Sequence, residues 1–401
     1  MSELLLKLSA IDSRYILRRV AVFLALLALT LNISVSWKAY RNEPLREAAS
    51  RSLLASNSHF FYDSGLAEPL PVFALKLAMA GGADPDGALR AEGLVVFALL
   101  VFVTFFSLQR FGEITALMAA LLLAVNPYAG FYAMQGSSHL YALVFLLLFW
   151  HNFDRPAGTS RNTLLAGLYG GLACLSRLDA GLALLVIAAL SWAVKRSAFG
   201  LKKAGLALGL ALLLTLPYAV CQKVKYNDPL YAQELSLRRW ANIERYGYAQ
   251  AAYTETGPLG PAAFLLRNGA AGVPRMFLGG LGRALSHELP RSFYYSFLFV
   301  PVFLGIYAVF VLKKYELLFF FAAALLPALP LAAIKQVPAT GGIELRYYLW
   351  AMWALCALAG LGFQEILEWA QAVLNARFRV KHDAEPTPDK NKGRILNEQK
   401  Q

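Results

Sequence analysis

Apolar runs close to the length that a lipid bilayer demands recur along almost the whole of this 401-residue chain. A helix needs about 20 mostly apolar residues to cross the hydrocarbon core. The runs lie near 16–37, 91–109, 113–130, 137–151, 163–177, 179–194, 203–221, 293–312, 315–334 and 347–366. Several are shorter than a full crossing or run together. Residues 58% hydrophobic and only 16% charged contrast with the roughly 25% charged residues of a soluble domain. The sequence therefore predicts an all-α fold, a polytopic transmembrane helix bundle of about ten spans. The first run, from about Tyr15 to Trp37, is long and lacks a convincing small-x-small cleavage site, so it reads as an uncleaved span.

The formal charge of +13 sits largely in short clusters beside the apolar runs: Arg18-Arg19, Lys195-Arg196, Lys202-Lys203 and Lys313-Lys314. That pattern sets membrane topology and meets anionic headgroups, and it does not suit nucleic acid. Cys174, Cys221 and Cys356 stand alone, in or beside apolar runs, with no CxxC or metal spacing. They read as small hydrophobes.

The positive-inside rule puts the amino terminus, with Lys7, Arg14, Arg18 and Arg19, on the cytoplasmic side. Ten spans then place the basic short loops and the carboxy-terminal residues Arg377, Arg379 and Lys381 on that side too. Two long loops, 38–90 and 222–291, face the other compartment. The chain thus divides into a membrane domain, 1–366, and a cytoplasmic tail, 367–401, whose residues from 381 on are polar and read as disordered. Within the first loop, Asn42-Glu43-Pro44 and the apolar residues after it predict a short amphipathic helix capped by Asn42, with Glu43 in its first turn. Residues 72–81, and likewise 263–289, predict interfacial segments.

Ionisable residues are costly in lipid, so those at span ends near the long loops are the informative ones. Asn42, Glu43, Arg46, Glu47, Arg51, Asp63 and Glu68 lie in the first loop. His139 opens the fourth span, and Arg177 and Asp179 flank a tight turn between the fifth and sixth. Asp228, Arg238 and Arg239 follow the seventh, and Glu344, Arg346, Tyr347 and Tyr348 open the last. The bland readings are an Arg177–Asp179 turn pair, a Glu47–Arg51 pair on a solvated face, Asp63 in a turn before Gly65, and Arg346 as a topological anchor.

These residues, in order, resemble the GT-C superfamily of membrane glycosyltransferases, in particular the branch of protein O-mannosyltransferases and the lipid A aminoarabinose transferase. The elements are Asn42-Glu43-Pro44-Leu45-Arg46-Glu47, Glu68-Pro69-Leu70-Pro71, Gln109-Arg110-Phe111-Gly112 and Asn126-Pro127-Tyr128. Further along come the Gly-rich run from Gly167 to Arg177, Asn227-Asp228-Pro229-Leu230-Tyr231, and Glu344-Leu345-Arg346-Tyr347. Two positions depart from the pattern: Asn42 stands for the first acid of a pair, and Ser138-His139 replaces a later acid. The resemblance implies an enzyme that moves a sugar from a polyprenyl-phosphate donor to a lipid, glycan or protein acceptor on the extracytoplasmic face, and the compact size without organelle signals favours a bacterial inner membrane. The resemblance implies no fixed cofactor and leaves room for a divalent metal ion.

Direct attack by an acceptor hydroxyl inverts the sugar's C1 and releases a lipid phosphate. That leaving group needs no general acid, so a single carboxylate base suffices, with a cation to meet the developing charge. A hydrolytic glycosidase would need two carboxylates across one bond. Glu43 and Asp63 are the candidate bases. Arg46, Glu68, His139, Arg177, Asp179, Arg238, Arg346 and Tyr347 are the candidate donor and substrate contacts, with Arg346 on the phosphate. A flippase of lipid-linked sugars and a catalytically inert scaffold of an envelope-polysaccharide pathway remain open. No internal repeat favours the transporter.

Overall fold

The computed structural model describes residues 13–45, 50–154, 160–195, 198–246, 259–267, 269–326 and 344–383. Among them every regular element is a helix. The first, Ser13–Tyr40, has 28 residues and rises about 42 Å, more than the hydrocarbon thickness. Its side chains Phe23, Leu26, Leu31 and Val35 are exposed. In water such a face would be a liability; in a bilayer it meets lipid tails.

Four helical stretches are long and apolar enough to cross a membrane: Val22–Tyr40, Pro85–Phe111, Gly200–Tyr226 and Leu345–Val373. Six spans result if each of two bent pairs counts as one. Most runs expected to span coincide with a helix, but Ser138–Phe153, Ser160–Ser176 and Ala180–Lys195 have only 16 or 17 residues, Phe299–Val311 has 13 and Glu316–Ala324 has 9, with the rest of the run 315–334 from residue 327 on outside the described residues. The continuous span expected over 113–130 is broken instead. Glu113–Val125 and Pro127–Met134 meet at 59°. Pro127 has no N–H to continue the ladder, and Asn126 caps the new helix through its Oδ1, which accepts from Tyr128 N at 2.9 Å and Ala129 N at 3.1 Å. The carbonyls freed at the break are met by Asn32 Nδ2, which donates to Ala124 O at 2.7 Å and Asn126 O at 2.9 Å. Backbone inside a membrane must be satisfied in this way.

The last helix, Leu349–Asp383, is the axle of the bundle. Trp350, Trp353, Leu355, Leu358 and Leu361 on it are buried. It crosses Phe299–Val311 through reciprocal close approaches: a Cβ on Gly305 would stand 1.9 Å from Leu358 O, and one on Gly362 1.9 Å from Pro301 O. Only glycine permits backbones that near, the usual device for packing helices without a hydrophobic driving force. Trp353 donates to Thr104 Oγ1 at 2.8 Å and packs on Phe320, so its indole N–H is satisfied in the core. Cys174 and Cys356 are buried and unbonded to each other, as small hydrophobes.

The first loop departs from expectation near its start. Glu43 does not sit in a helical first turn capped by Asn42; it closes a turn in which its N–H donates to Tyr40 O. The helix runs Arg51–Asn57. Arg51 is not on a solvated face but is 5% exposed, donating to Gly136 O at 2.9 Å. Arg46 and Glu47 lie outside the described residues. The segment expected at 72–81 is the helix Pro69–Ala80, started by prolines that fix φ where no N–H is needed.

Candidate active site

Four chain segments converge at one end of the bundle. The first is the turn between Ser160–Ser176 and Ala180–Lys195, which carries Arg177, Leu178 and Asp179. Only three residues separate these helices, so the Arg177 and Asp179 side chains are forced together. Arg177 grips Asp179 through Nε at 3.0 and 3.1 Å and through Nη2 at 2.8 Å. This forked pairing is the geometry in which guanidinium and carboxylate bind best.

The second segment is the start of Ser138–Phe153. The helix before it ends in a Schellman turn: Ser137 N donates to Tyr132 O and Gly136 N to Ala133 O, with Gly136 at φ +61. That turn delivers Ser138 and His139 to Arg177. Arg177 Nη1 lies 3.2 Å from Ser138 Oγ and 3.3 Å from His139 Nδ1.

The third is Glu68, the residue before Pro69, which accepts from Leu178 N at 3.4 Å. Its side chain does not cap the helix it precedes. Burial pushes the Glu68 carboxyl above the usual carboxylate range, and the opposing pull of Arg177 does not cancel that effect. The fourth is the 3-10 turn Glu344–Tyr348. Tyr347 packs edge-on against His139 with ring centres 5.1 Å apart, and Arg346 Nη2 donates to the Tyr347 hydroxyl at 3.0 Å. Trp350 locks this segment to the second by donating to His139 O at 2.8 Å.

Six of the expected site residues, Glu68, His139, Arg177, Asp179, Arg346 and Tyr347, thus form one connected cluster. Of the others, Arg46 lies outside the described residues, and Asp63, Arg238 and Glu43 have different partners. Asp63 is bound to Lys225 Nζ and accepts from His59 N at 3.1 Å, clasping the loop to the helix Ala198–Tyr226. Burial pushes the Asp63 carboxyl up, but the bonds from Lys225 and the His59 N–H outweigh it and hold the group below its usual range. A tightly held anion of that kind is a poor base. Arg238 pairs with Glu234 at 2.6 Å on its own helix, Tyr231–Tyr246. Glu43 is half-buried, and its carbonyl accepts from Arg90 Nη2 at 2.6 Å. A chain of bonds joins it to the cluster's side of the molecule: Arg90 also reaches Met134 O, and Gln135 Nε2 lies 3.4 Å from Pro44 O.

Sequence reasoning missed Arg90, Ser138, Lys225 and Trp240. Trp240 packs on Tyr347 at 5.3 Å and brings the second long loop over the cluster. Arg90 had a signal, a charge at the head of an apolar run. Among the described residues no group of three or more His, Cys, Asp and Glu is placed to hold a metal ion. The two nearest donors, Glu68 and Asp179, are already engaged by Leu178 N–H and Arg177, so no step is assigned to a metal.

No protein-family model and no curated protein matches this chain. Solved structures do. One is the oligosaccharyltransferase of Archaeoglobus fulgidus with zinc and sulfate, at a TM-score of 0.50 and 14% identity, over 90% of this chain and 51% of that one. Another is AglB from the same archaeon with an inhibitory peptide and a dolichol-phosphate, at 0.50 and 14%, over 92% and 52%. A third is ArnT from Cupriavidus metallidurans bound to undecaprenyl phosphate, at 0.42 and 13%, over 86% and 77%. The chain spans about half the length of the archaeal proteins.

Proposed function

We propose, from the premise that this integral membrane chain has the GT-C fold, that it transfers a sugar from a polyprenyl-phosphate donor to an acceptor hydroxyl. The observation that carries this reading is the convergence of two guanidinium groups, Arg177 and Arg346, with Glu68 and Asp179 under the first long loop. Burial pushes the Glu68 carboxyl toward its neutral form, beside the Arg177–Asp179 pair and on the side of the cluster that Arg346 and Tyr347 close. Guanidinium groups suit a phosphodiester, and they suit the departing lipid phosphate better still, because the leaving group gains negative charge. The archaeal relative was solved with a dolichol-phosphate, a ligand of the class that guanidinium groups bind.

In this reading Arg346 holds the donor phosphate and Arg177, fixed by Asp179 and Ser138, supplies a preorganised positive floor. His139 and Tyr347 shape the wall beside the sugar. Glu43 takes the proton from the acceptor hydroxyl, which attacks C1 from the face opposite the phosphate. The C1–O bond to phosphate breaks, the sugar inverts, and polyprenyl phosphate leaves. Arg238 grips headgroups from the second loop. The clustering of basic residues at the other span ends supports a bacterial inner-membrane location, cytoplasmic termini and an extracytoplasmic site.

The test is turnover by the purified full chain with a panel of radiolabelled undecaprenyl-phosphate pentoses and hexoses. Release of undecaprenyl phosphate by wild type, lost in Glu43→Gln and Arg346→Ala, is the expected result. Binding of undecaprenyl phosphate without turnover across the panel overturns the enzyme and leaves the scaffold. Undiminished turnover in Glu43→Gln moves the base to another carboxylate.

A further inference from the structure

Arg90 is 5% exposed, near the start of the helix Pro85–Leu108. A buried guanidinium normally finds a carboxylate, because an uncompensated charge in a protein interior is costly. Arg90 instead donates to three backbone carbonyls: Tyr40 O at 3.0 Å, Met134 O at 3.2 Å and Glu43 O at 2.6 Å. Two of these are helix ends. Tyr40 closes the helix Ser13–Tyr40 and Met134 closes Pro127–Met134. The last carbonyls of a helix lack intrahelical partners and carry the negative pole of its dipole, so one cation between two such ends is well compensated. The third acceptor is not a helix end. It is the carbonyl of the residue proposed as the base.

The neighbouring bonds point the same way. Gln135 Nε2 lies 3.4 Å from Pro44 O, and Arg51 Nη1 donates to Gly136 O at 2.9 Å. Glu43, Pro44 and Arg51 are therefore tied at separate points to the Schellman turn 134–137. That turn leads directly into Ser138 and His139, which contact Arg177. The backbone that carries Glu43 is thereby fixed relative to the cationic floor, through a residue that lies in neither.

We propose that Arg90 is a positioning residue for catalysis: it sets where Glu43 stands with respect to the Arg177 cluster by clamping the Glu43 carbonyl to the ends of two helices. This rests on the reading of Glu43 as the base. A planar fork with several donors holds three acceptors at once, and a lysine ammonium on a flexible stem holds them less well. A misplacement of about 1 Å costs up to ~100-fold in rate.

The experiment uses the full chain in detergent, with the radiolabelled undecaprenyl-phosphate sugar that wild type turns over. Arg90→Lys is expected to lower kcat roughly 10- to 100-fold and leave the donor KM within about threefold, since Arg346 still binds the phosphate. On the Glu43→Gln background Arg90→Lys is expected to cost nothing further, because a residue acting through another has no effect once that other is gone. Amide hydrogen exchange over 41–45 is expected to quicken in Arg90→Lys, a readout that needs no substrate. Gln135→Ala, which removes the parallel bond, should show the same pattern at smaller size and serves if Arg90→Lys does not fold. A collapsed Glu43→Gln beside an unaffected Arg90→Lys overturns the positioning role alone. So does an equal loss from Arg90→Lys on both backgrounds, or unchanged exchange over 41–45. Wild-type turnover in Glu43→Gln overturns the base assignment and this role together.

Discussion

Arg110 and Arg177 stand at opposite ends of one helix, Ser138–Phe153, whose 16 residues rise about 24 Å. Each is paired with a carboxylate, yet they do different work. Arg110 reaches Asp154 at 3.1 Å and lies over the Trp150 ring at 4.1 Å and the Phe111 ring at 4.9 Å. Its neighbour Lys314 closes the Phe111 carbonyl at 3.0 Å. These contacts tie one helix end to the next. Arg177 has the same kind of ion pair but gathers Ser138, His139 and Glu68 as well. A lock needs one satisfied pair. Extra polar groups held under a loop are costly to bury, and a fold that keeps them has another use for them.

The sharpest way to break this contrast is to remove each arginine in turn. Arg177→Ala is expected to lower turnover by at least ~100-fold, the scale of losing one preorganised electrostatic group. It should also lower stability by about 1–3 kcal/mol, because the half-buried Asp179 is left without its guanidinium partner. Arg177→Ala combined with Asp179→Asn restores much of the stability and none of the turnover. Recovery of turnover in the double variant would make the pair a lock like its counterpart.

Arg110→Ala is expected to leave turnover per folded molecule unchanged and to lower stability by about 1–3 kcal/mol, from a lost cation–π contact and a lost ion pair to Asp154. Thermal midpoint and kcat measured on the same preparation separate the two. A drop in kcat with an unchanged midpoint would mean that the two ends are coupled through the helix between them.

A smaller effect tests the strut that holds the cluster together. Trp350→Phe removes the indole N–H that donates to His139 O while keeping most of the buried volume. The expected loss is about 0.5–1.5 kcal/mol of stability, with a modest fall in kcat as the Tyr347–His139 contact loosens. An unchanged kcat would show that the Ser138–His139 segment is held well enough by its Schellman turn.

How much of this was legible in the sequence depends on what kind of signal each residue carried. Arg177 and Asp179 were readable because two apolar runs left only three residues for a turn, so chain geometry alone forced the pair. Asn126-Pro127 was readable as an element but not as a bend, because the sequence does not show that Asn32, far away in the chain, satisfies the carbonyls. Glu43 and Arg51 were misjudged for a related reason. Local patterning gave a capped amphipathic helix, and tertiary bonds from Arg90 and to Gly136 O chose another course for the chain. Ser138 was noticed only as a departure from the family pattern, and Lys225 and Trp240 carried no local signal; each matters through a partner distant in sequence.

The finest test concerns pH, and it compares two carboxylates of the same loop. Asp63 has a folded-state pKa held below its ordinary value of 3.8. Its contribution to stability is therefore present above that value and lost as pH falls through the lower, folded one. Glu68 is shifted the other way. The folded state binds its proton more tightly than the unfolded chain, so ionising Glu68 weakens the fold as pH rises from the ordinary carboxylate range through its raised value. Asp63→Asn should flatten the acid limb of the stability profile, while Glu68→Gln should flatten the limb above it and leave the protein at least as stable near neutrality. Thermal midpoints across pH measure both. A Glu68→Gln variant that is less stable near neutrality would mean that the carboxylate is the form the fold prefers, paired with Arg177.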